Sequence, residues 1–510
     1  MSTESNPRYD QVPYQSNPFG RSHPRWLATV AAVFGMQAPD PDRARILELG
    51  CASGGNLVPM AESLPNSSCL GVDLSNVQIE QGQRFIEQTG LRNVTLRQAS
   101  ILDLGERDGK FDYIICHGVY SWVPRDVQKR VLELCGELLS PHGIAYISYN
   151  TLPGWGMLGV LRDMMRFHAG RFADPKQQIA QSKALLNVLA KTVPAQDNPY
   201  GMLLKQSSEQ VQKAADWYIY HEHLEDHNDP VYFHEFAARA GAVGLQFLGE
   251  SDVLSMLSNQ LPEEVQAALR EVSKNIVDSE QYMDFFRNRT FRETLLCRTG
   301  VKLNRLIDAN KIKPLAFASE LEPQGDRGDL KSPHQLSFTA PQKPTLGVTD
   351  PLFKAALIEL REAWPRFVPV TELEAQVRIR LELPPPTSET TDAFVDRLWG
   401  WFTRRLISMS ALPAPCVSKV SSRPLGSLVA RTQLQRGRAQ LTDLLHRTVR
   451  IKQFDAAVLA LLDGSRDRTE LAAALAKSRL AFEGPGKEEP LGRRIEAALS
   501  HLASAALLKG

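Results

Sequence analysis

The stretch Ile46-Leu47-Glu48-Leu49-Gly50-Cys51-Ala52-Ser53-Gly54-Gly55-Asn56 decides how the rest of the chain is read. An apolar run gives way abruptly to small residues, and a helical pattern then opens over 56–64. A buried strand therefore feeds a helix through a turn where backbone can approach a ligand closely.

Outward from that turn, strands and helices alternate. Strands are expected at 46–49, 69–74, 94–97, 111–116 and 143–149, with helices at 56–64, 76–89 and 125–139 between them. Near-continuous apolar strands separated by amphipathic helices make a parallel sheet covered on both faces. The fold class is α/β, a doubly wound Rossmann-like core.

The glycine spacing sorts the ligands. A phosphate-cradling loop needs Gly-Lys-Ser/Thr, and no Lys follows. A dinucleotide fingerprint needs Gly-x-Gly-x-x-Gly, but Ala52 and Ser53 break it. What remains is acidic-x-Gly-x-small-x-Gly: Glu48, Gly50, Ala52, Gly54. With it goes Asp73, ending the second strand in Gly71-Val72-Asp73-Leu74-Ser75, where a carboxylate can accept both ribose hydroxyls. Turn, strand order and acidic strand end together point to S-adenosylmethionine.

These two segments resemble motifs I and II of the class I methyltransferases. More closely, the chain is similar to bacterial methyltransferases with a methyltransferase regulatory domain, among them rickettsial outer-membrane-protein lysine methyltransferases. The resemblance rests on Tyr9-Asp10-Gln11-Val12-Pro13-Tyr14, His117-Gly118-Val119-Tyr120-Ser121-Trp122-Val123-Pro124 and Ser148-Tyr149-Asn150-Thr151-Leu152-Pro153-Gly154-Trp155. It also rests on Pro230-Val231-Tyr232-Phe233-His234-Glu235-Phe236 and Phe291-Arg292-Glu293-Thr294-Leu295-Leu296-Cys297. It implies methyl transfer to lysine side chains of a protein, with a homodimer in keeping with the family. Carried over by position, Gly50, Ala52 and Gly54 approach the methionine part and Asp73 the ribose. Ser100 stands where many relatives have an adenine-binding Asp, and Ile101 and Leu74 would pack the purine. Glu48, Cys51, Asn56 and Gln78 complete the expected cofactor set, with His117 at its edge.

His117 begins the segment after the fourth strand, at the carboxyl edge where open α/β sheets bind ligands. The Asn/Asp-Pro-Pro-Tyr/Phe of adenine amino-methylating enzymes is absent there. Tyr120 and Trp122 are expected to wall a channel for an aliphatic amine, since cations are attracted to aromatic faces. His117 is the candidate base, in competition with a purely structural role. The catalytic candidates are thus His117, Tyr120 and Trp122. Two other readings stay open: a small-molecule or nucleic-acid acceptor, and a non-catalytic cofactor-binding regulator.

Residues 1–44 read as an arm and helix over the cofactor site, with Tyr9, Tyr14 and Phe19 between prolines and a helix at 25–35. Residues 45–150 form the cofactor core and 151–229 a helical insertion, with helices at 158–171, 176–189 and 207–221. Residues 230–300 close the core around a helical excursion at 263–287. Residues 301–349 read as a linker with short strands, and 350–510 as winged-helix-like regulatory or recruiting modules.

The charge balance, 59 Lys+Arg against 58 Asp+Glu, gives no general attraction to nucleic acid. The basic cluster Arg431, Arg436, Arg438, Arg447, Arg450 and Lys452 is read as a solvated face. No run approaches the ~18 apolar residues of a membrane span. The six cysteines form no Cys-x-x-Cys pair, so a reduced, cytoplasmic protein is expected. His223 and His227 sit one helical turn apart without a Cys cluster nearby, and no metal is expected.

Overall fold

The computed structural model describes residues 16–325, 328–477 and 489–510. Tyr9 and Tyr14 lie outside them. Seven strands form one mixed sheet: β1 (Arg45–Leu49), β2 (Ser68–Asp73), β3 (Val94–Gln98), β4 (Phe111–Cys116), β5 (Leu139–Asn150), β6 (Leu245–Glu250) and β7 (Phe291–Arg298), in the order β3-β2-β1-β4-β5-β7-β6. The first five are parallel, whereas β7 runs antiparallel to both β5 and β6. The long excursion between β6 and β7 brings the chain back in the reversed direction. Between β1 and β4 the strand order reverses, and the crevice at that point opens at their carboxyl ends.

The sheet is buried on both faces. One face packs the helix Pro24–Val33 through Leu27, Val30 and Ala31 together with Ile46, Tyr113 and Tyr146. The other packs Val131, Leu134 and Leu138 of Arg125–Leu138 with Leu47, Ile114 and Ile147. That helix pairing of alternating strand residues is what the near-continuous apolar strands require.

The helical insertion has its own apolar core, with Gly154–Ala169, Pro175–Thr192 and Pro199–Lys213 as its main helices. The expected helix over 207–221 is corrected here. The helix starts earlier, capped by Asn198, and ends at Lys213; a separate turn with π geometry follows over Ile219–His223. The excursion at 263–287 is likewise two helices, Glu263–Val272 and Ile276–Arg287, because Asn275 caps the second and interrupts the first.

Residues 301–349 are more than a linker. Ala316–Ala318 pairs with Val368–Pro369 and Ser408–Ser410, and Leu336–Thr339 pairs with Glu322–Gln324 and Leu346–Val348. Phe317, Leu321 and Phe338 are buried in the same core as the helices Pro351–Ala363, Val370–Leu381 and Ser388–Thr403. The short strands expected in this segment are present, but they pack into that core instead of merely joining two domains.

The last module carries Leu428–Gln435, Gln453–Ala460, Arg468–Leu475 and Leu491–Ser504 with short ladders. It docks on the α/β core through Glu62. The Glu62 carboxylate accepts from Ser427 Oγ (2.7 Å), Leu428 N (2.6 Å) and Val429 N (3.0 Å), an anion seated on a helix N-terminus. The basic cluster is therefore not simply a solvated face: Arg436 lies over the Phe85 ring at 5.2 Å, and Arg447 pairs with Asp443 at 2.8 Å. No helix among the described residues is long and apolar enough to cross a membrane.

Candidate functional site

The turn after β1 takes a left-handed backbone at Gly50 and Gly54, both at φ +73°, and at Ala52, φ +48°. A non-glycine residue held there stores strain of about 1–2 kcal/mol. The Asp73 carboxylate holds it: one oxygen accepts the Ala52 N–H at 2.8 Å and the other the Ser75 N–H at 2.9 Å. Asp73 is half-buried at the end of β2, and Leu74 beside it is exposed. After β3, Ser100 caps a short turn by accepting the Leu102 N–H (3.2 Å), with Ile101 half-buried behind it. A strained small-residue turn, an oriented carboxylate at one strand end and exposed apolar groups at the next make a bed that fits a nucleoside with an amino-acid tail. Gln78 lies buried in the first turn of Asn76–Thr89, its N–H on the Ser75 hydroxyl (3.2 Å).

Three of the expected cofactor contacts face the other way. The Cys51 thiol is buried, and its N–H bonds to the Val72 carbonyl at 3.0 Å. Asn56 is buried and fully engaged by protein. Its Oδ1 accepts from Phe19 N (2.9 Å) and meets His446 Nε2 (2.8 Å), and its Nδ2 donates to Glu48 (2.7 Å) and Ser22 (3.1 Å). Glu48 lies behind the turn, and burial pushes its carboxyl up to about 8. The side chains of these three residues are buried in the protein rather than exposed on the turn. The arm crosses just above: Gly55 donates to Ser16 Oγ at 2.8 Å, and a Cβ on Gly55 would come within 2.4 Å of the Ser16 carbonyl oxygen.

At the end of β4, His117 Nδ1 lies 2.8 Å from the Tyr146 hydroxyl, which donates to Glu293 Oε1 at 2.9 Å. Glu293 in turn meets Arg21 at 2.6 Å. A hydroxyl that has given its hydrogen to a carboxylate can only accept from the imidazole. Nδ1 therefore carries the proton, and Nε2 is left with a lone pair. Burial holds His117 near a pKa of about 4, so the ring is neutral at physiological pH. The Phe19 ring packs on it at 3.7 Å, and Phe291, exposed, stands edge-on at 6.3 Å.

Trp122 stays at the lip, half-buried and edge-on to Trp155 at 6.0 Å, whose indole N–H donates to Asn228 at 2.6 Å. Tyr120 does not wall a channel. It is fully buried, with its ring against Tyr149 and Phe236; the turn over Tyr120–Trp122 buries Tyr120 and Ser121 and leaves only Trp122 partly open. Among the described residues no group of three or more His, Cys, Asp or Glu is placed to hold a metal ion.

Phe19, Tyr146 and Glu293 were missed as site residues by sequence reasoning. Tyr146 reads only as a core residue of a strand, and Glu293 stands out solely as part of a family-like segment. Their partnership is made by β5 pairing with β7.

Comparison with known proteins gives the family. Residues 46–143 match the description "Methyltransferase domain", 215–298 "Predicted methyltransferase regulatory domain", and 422–507 "PKMT, C-terminal winged helix domain". The structure of PKMT2 from Rickettsia typhi in complex with AdoHcy superposes with a TM-score of 0.87 at 30% identity, over 98% of this chain and 100% of that one. An uncharacterized protein of Rickettsia prowazekii is 35% identical over 92% of this chain and 86% of its own length. A second uncharacterized protein of that organism is 45% identical over 46% of this chain and 93% of its own. With the class I strand order, the Gly50–Gly54 turn and these whole-length matches together, the chain belongs to the S-adenosylmethionine-dependent methyltransferases that join a regulatory domain and a PKMT-type winged helix to the catalytic core.

Proposed function

We propose that this methyltransferase acts on the ε-amino group of lysine side chains in a protein. The observation that carries the reading is the end-to-end similarity to PKMT2, whose abbreviation we take as protein lysine methyltransferase, including the winged-helix module at 422–507. In this reading Asp73 holds the ribose, Gly50, Ala52 and Gly54 let backbone approach the methionine part, and Ser100, Ile101 and Leu74 meet the adenine. Gln78 supports that bed from the adjoining helix.

S-adenosylmethionine supplies a methyl group already activated by its sulfonium, so the protein's task is to place the amine in line. His117 Nε2 accepts a hydrogen bond from the amine and aims its lone pair. A ring with a pKa of about 4 is a poor final base for an ammonium of about 10.4. The proton therefore leaves to water before the amine enters, and His117 orients the neutral amine. Phe19 and Phe291 flank His117 and Trp122 stands edge-on to Trp155, and in this reading these rings guide the lysine stem. Exposed Met157, Val160 and Phe167 on Gly154–Ala169 support a homodimer as part of the same proposal; a mass near the 56.8 kDa of one chain by light scattering would remove it.

The test is transfer of labelled methyl from S-adenosylmethionine to a bacterial extract, followed by acid hydrolysis and chromatography. Label in methylated lysine, lost on protease treatment, is the expected result. Label that survives protease and disappears with nuclease, or that stays in small molecules, overturns the protein acceptor.

A further inference from the structure

A cleft of about 350 Å³ lies where the helix Pro24–Val33, the segment after β6 and the modules beyond residue 350 meet. Aromatic rings form much of its wall, among them Trp26, Trp364 and Phe402. The two indole N–H groups already donate to the carbonyls of Ser251 (2.9 Å) and Ser504 (2.8 Å). What these rings offer a ligand is apolar surface.

Four guanidinium groups, those of Arg21, Arg25, Arg405 and Arg447, border the same space against one lining carboxylate, Asp252. Asp252 is shared by Arg405 at 2.9 Å and Arg21 at 3.4 Å. Arg447 leans on Asp443, outside the lining, and lies over the Trp364 ring at 5.3 Å. Arg25 differs from the other three. Among the described residues no carboxylate comes within ion-pair distance of it; its guanidinium bonds to the Ser63 carbonyl at 2.7 Å. Burial lowers its pKa to about 10, a shift that the more distant Asp42 and Asp40 offset only in part. A water-filled seam between modules would also leave space, but it gives no reason for the Arg25 guanidinium to be buried beside it without an ion-pair partner.

We infer that this cleft binds a small anion carrying a flat aromatic body, an aryl phosphate or aryl carboxylate, with its anionic group on Arg25 and its ring against Trp26, Trp364 and Phe402. The volume suits such a molecule, since ligand clefts run from about 300 Å³ upward. Planar guanidinium forks match phosphate and carboxylate oxygens in pairs. The site is separate from the cofactor turn yet not isolated from it. Arg21 borders the cleft and also holds Glu293, two hydrogen bonds from His117.

The probe is 1-naphthyl phosphate, titrated into the full-length protein with the cofactor site saturated by S-adenosylhomocysteine, and followed by tryptophan fluorescence and calorimetry. Binding should weaken by about tenfold or more in Arg25→Met and for the uncharged 1-naphthol, the loss of one charge-assisted pair. Arg405→Met, at the exposed rim, keeps the measurement available if Arg25→Met does not fold, and should lose about threefold. Asp73→Ala, without S-adenosylhomocysteine, should bind the probe as the wild type does, so an error in the cofactor assignment and an error here read separately. No binding by the wild type, equal binding in both arginine variants, or loss of binding in Asp73→Ala overturns the inference.

Discussion

His446 Nε2 lies 2.8 Å from Asn56 Oδ1, so a residue of the last module touches the start of the helix that follows the Gly50–Gly54 turn. Asn56 Oδ1 can only accept, so His446 donates from Nε2. Through Asn56 Nδ2 the contact continues to Glu48 at 2.7 Å, behind the turn itself. The winged-helix module is thus part of what holds the cofactor turn in place. His446→Ala should raise the dissociation constant for S-adenosylmethionine by about three- to tenfold, with kcat at saturating cofactor little changed. His446→Gln, whose amide can still donate, should recover most of the affinity. Calorimetric titration decides; wild-type affinity in the alanine variant would make the contact a docking detail only.

The same residue gives a pH dependence. Burial holds His446 near a pKa of about 3 and His117 near about 4, and lowers His23 well below its ordinary value. Below about 6.5 the unfolded chain binds protons on these rings that the native protein refuses. Stability therefore rises with pH from about 4 to about 6.5. Glu48, raised to about 8 by burial, works in the opposite sense. The native state keeps a proton that the unfolded state releases above about 4.5, so its contribution falls as pH rises through that window. The melting temperature should peak near pH ~6.5. His446→Gln should flatten the acid limb by up to about 1.4 kcal/mol per pH unit, and Glu48→Gln should lessen the decline toward pH ~8. A melting curve monotonic in pH would contradict the assignment.

Asp73 carries two duties, orienting the strained Ala52 and, in the proposed function, holding the ribose. Asp73→Ala removes both and should weaken S-adenosylmethionine binding by about a hundredfold, whereas Asp73→Asn, which keeps one acceptor, should lose about tenfold. Unchanged affinity in Asp73→Ala would remove the ribose assignment.

The core was legible because its strands are buried on both faces and its turn needs small residues with unusual backbone angles. Ile46–Leu49, Gly50–Gly54 and Asp73 announce themselves in one dimension. The direction of a side chain does not. Tyr120 turns inward and Trp122 outward because of what packs on β5 and the helix Phe233–Ala242. Asn56 looks like a helix-opening polar residue near a ligand until Phe19 and His446, from opposite ends of the chain, take its amide. The helix Leu428–Gln435 escaped notice because it is only eight residues long, and Glu62, which accepts its first N–H groups, lies in another module. Tyr146 and Glu293 become partners only when β7 enters the sheet between β5 and β6.

Arg292 shows what fixes that strand. It is buried, with Asp284 at 2.8 Å, Glu250 at 2.7 Å and Glu280 at 3.1 Å, and its guanidinium lies 3.9 Å from the Phe233 ring centroid. Glu250 also accepts the Glu293 N–H at 3.0 Å, so the cluster sets the backbone of the residue that anchors Tyr146. Removing one partner of a buried ionic cluster costs about 3–5 kcal/mol, because the charges left behind have neither water nor a counter-ion. Arg292→Met should therefore lower stability by that amount in denaturant titration. Burial already raises Glu280 and Asp284, and losing Arg292, which opposes that rise, should raise them further. The variant's native state then holds protons that its unfolded state releases above about pH 4, so its stability falls as pH rises. The deficit against wild type should be smaller at pH ~5 than at pH ~8. A deficit that does not change with pH would mean the loss comes from packing against Phe233 rather than from the stranded carboxylates.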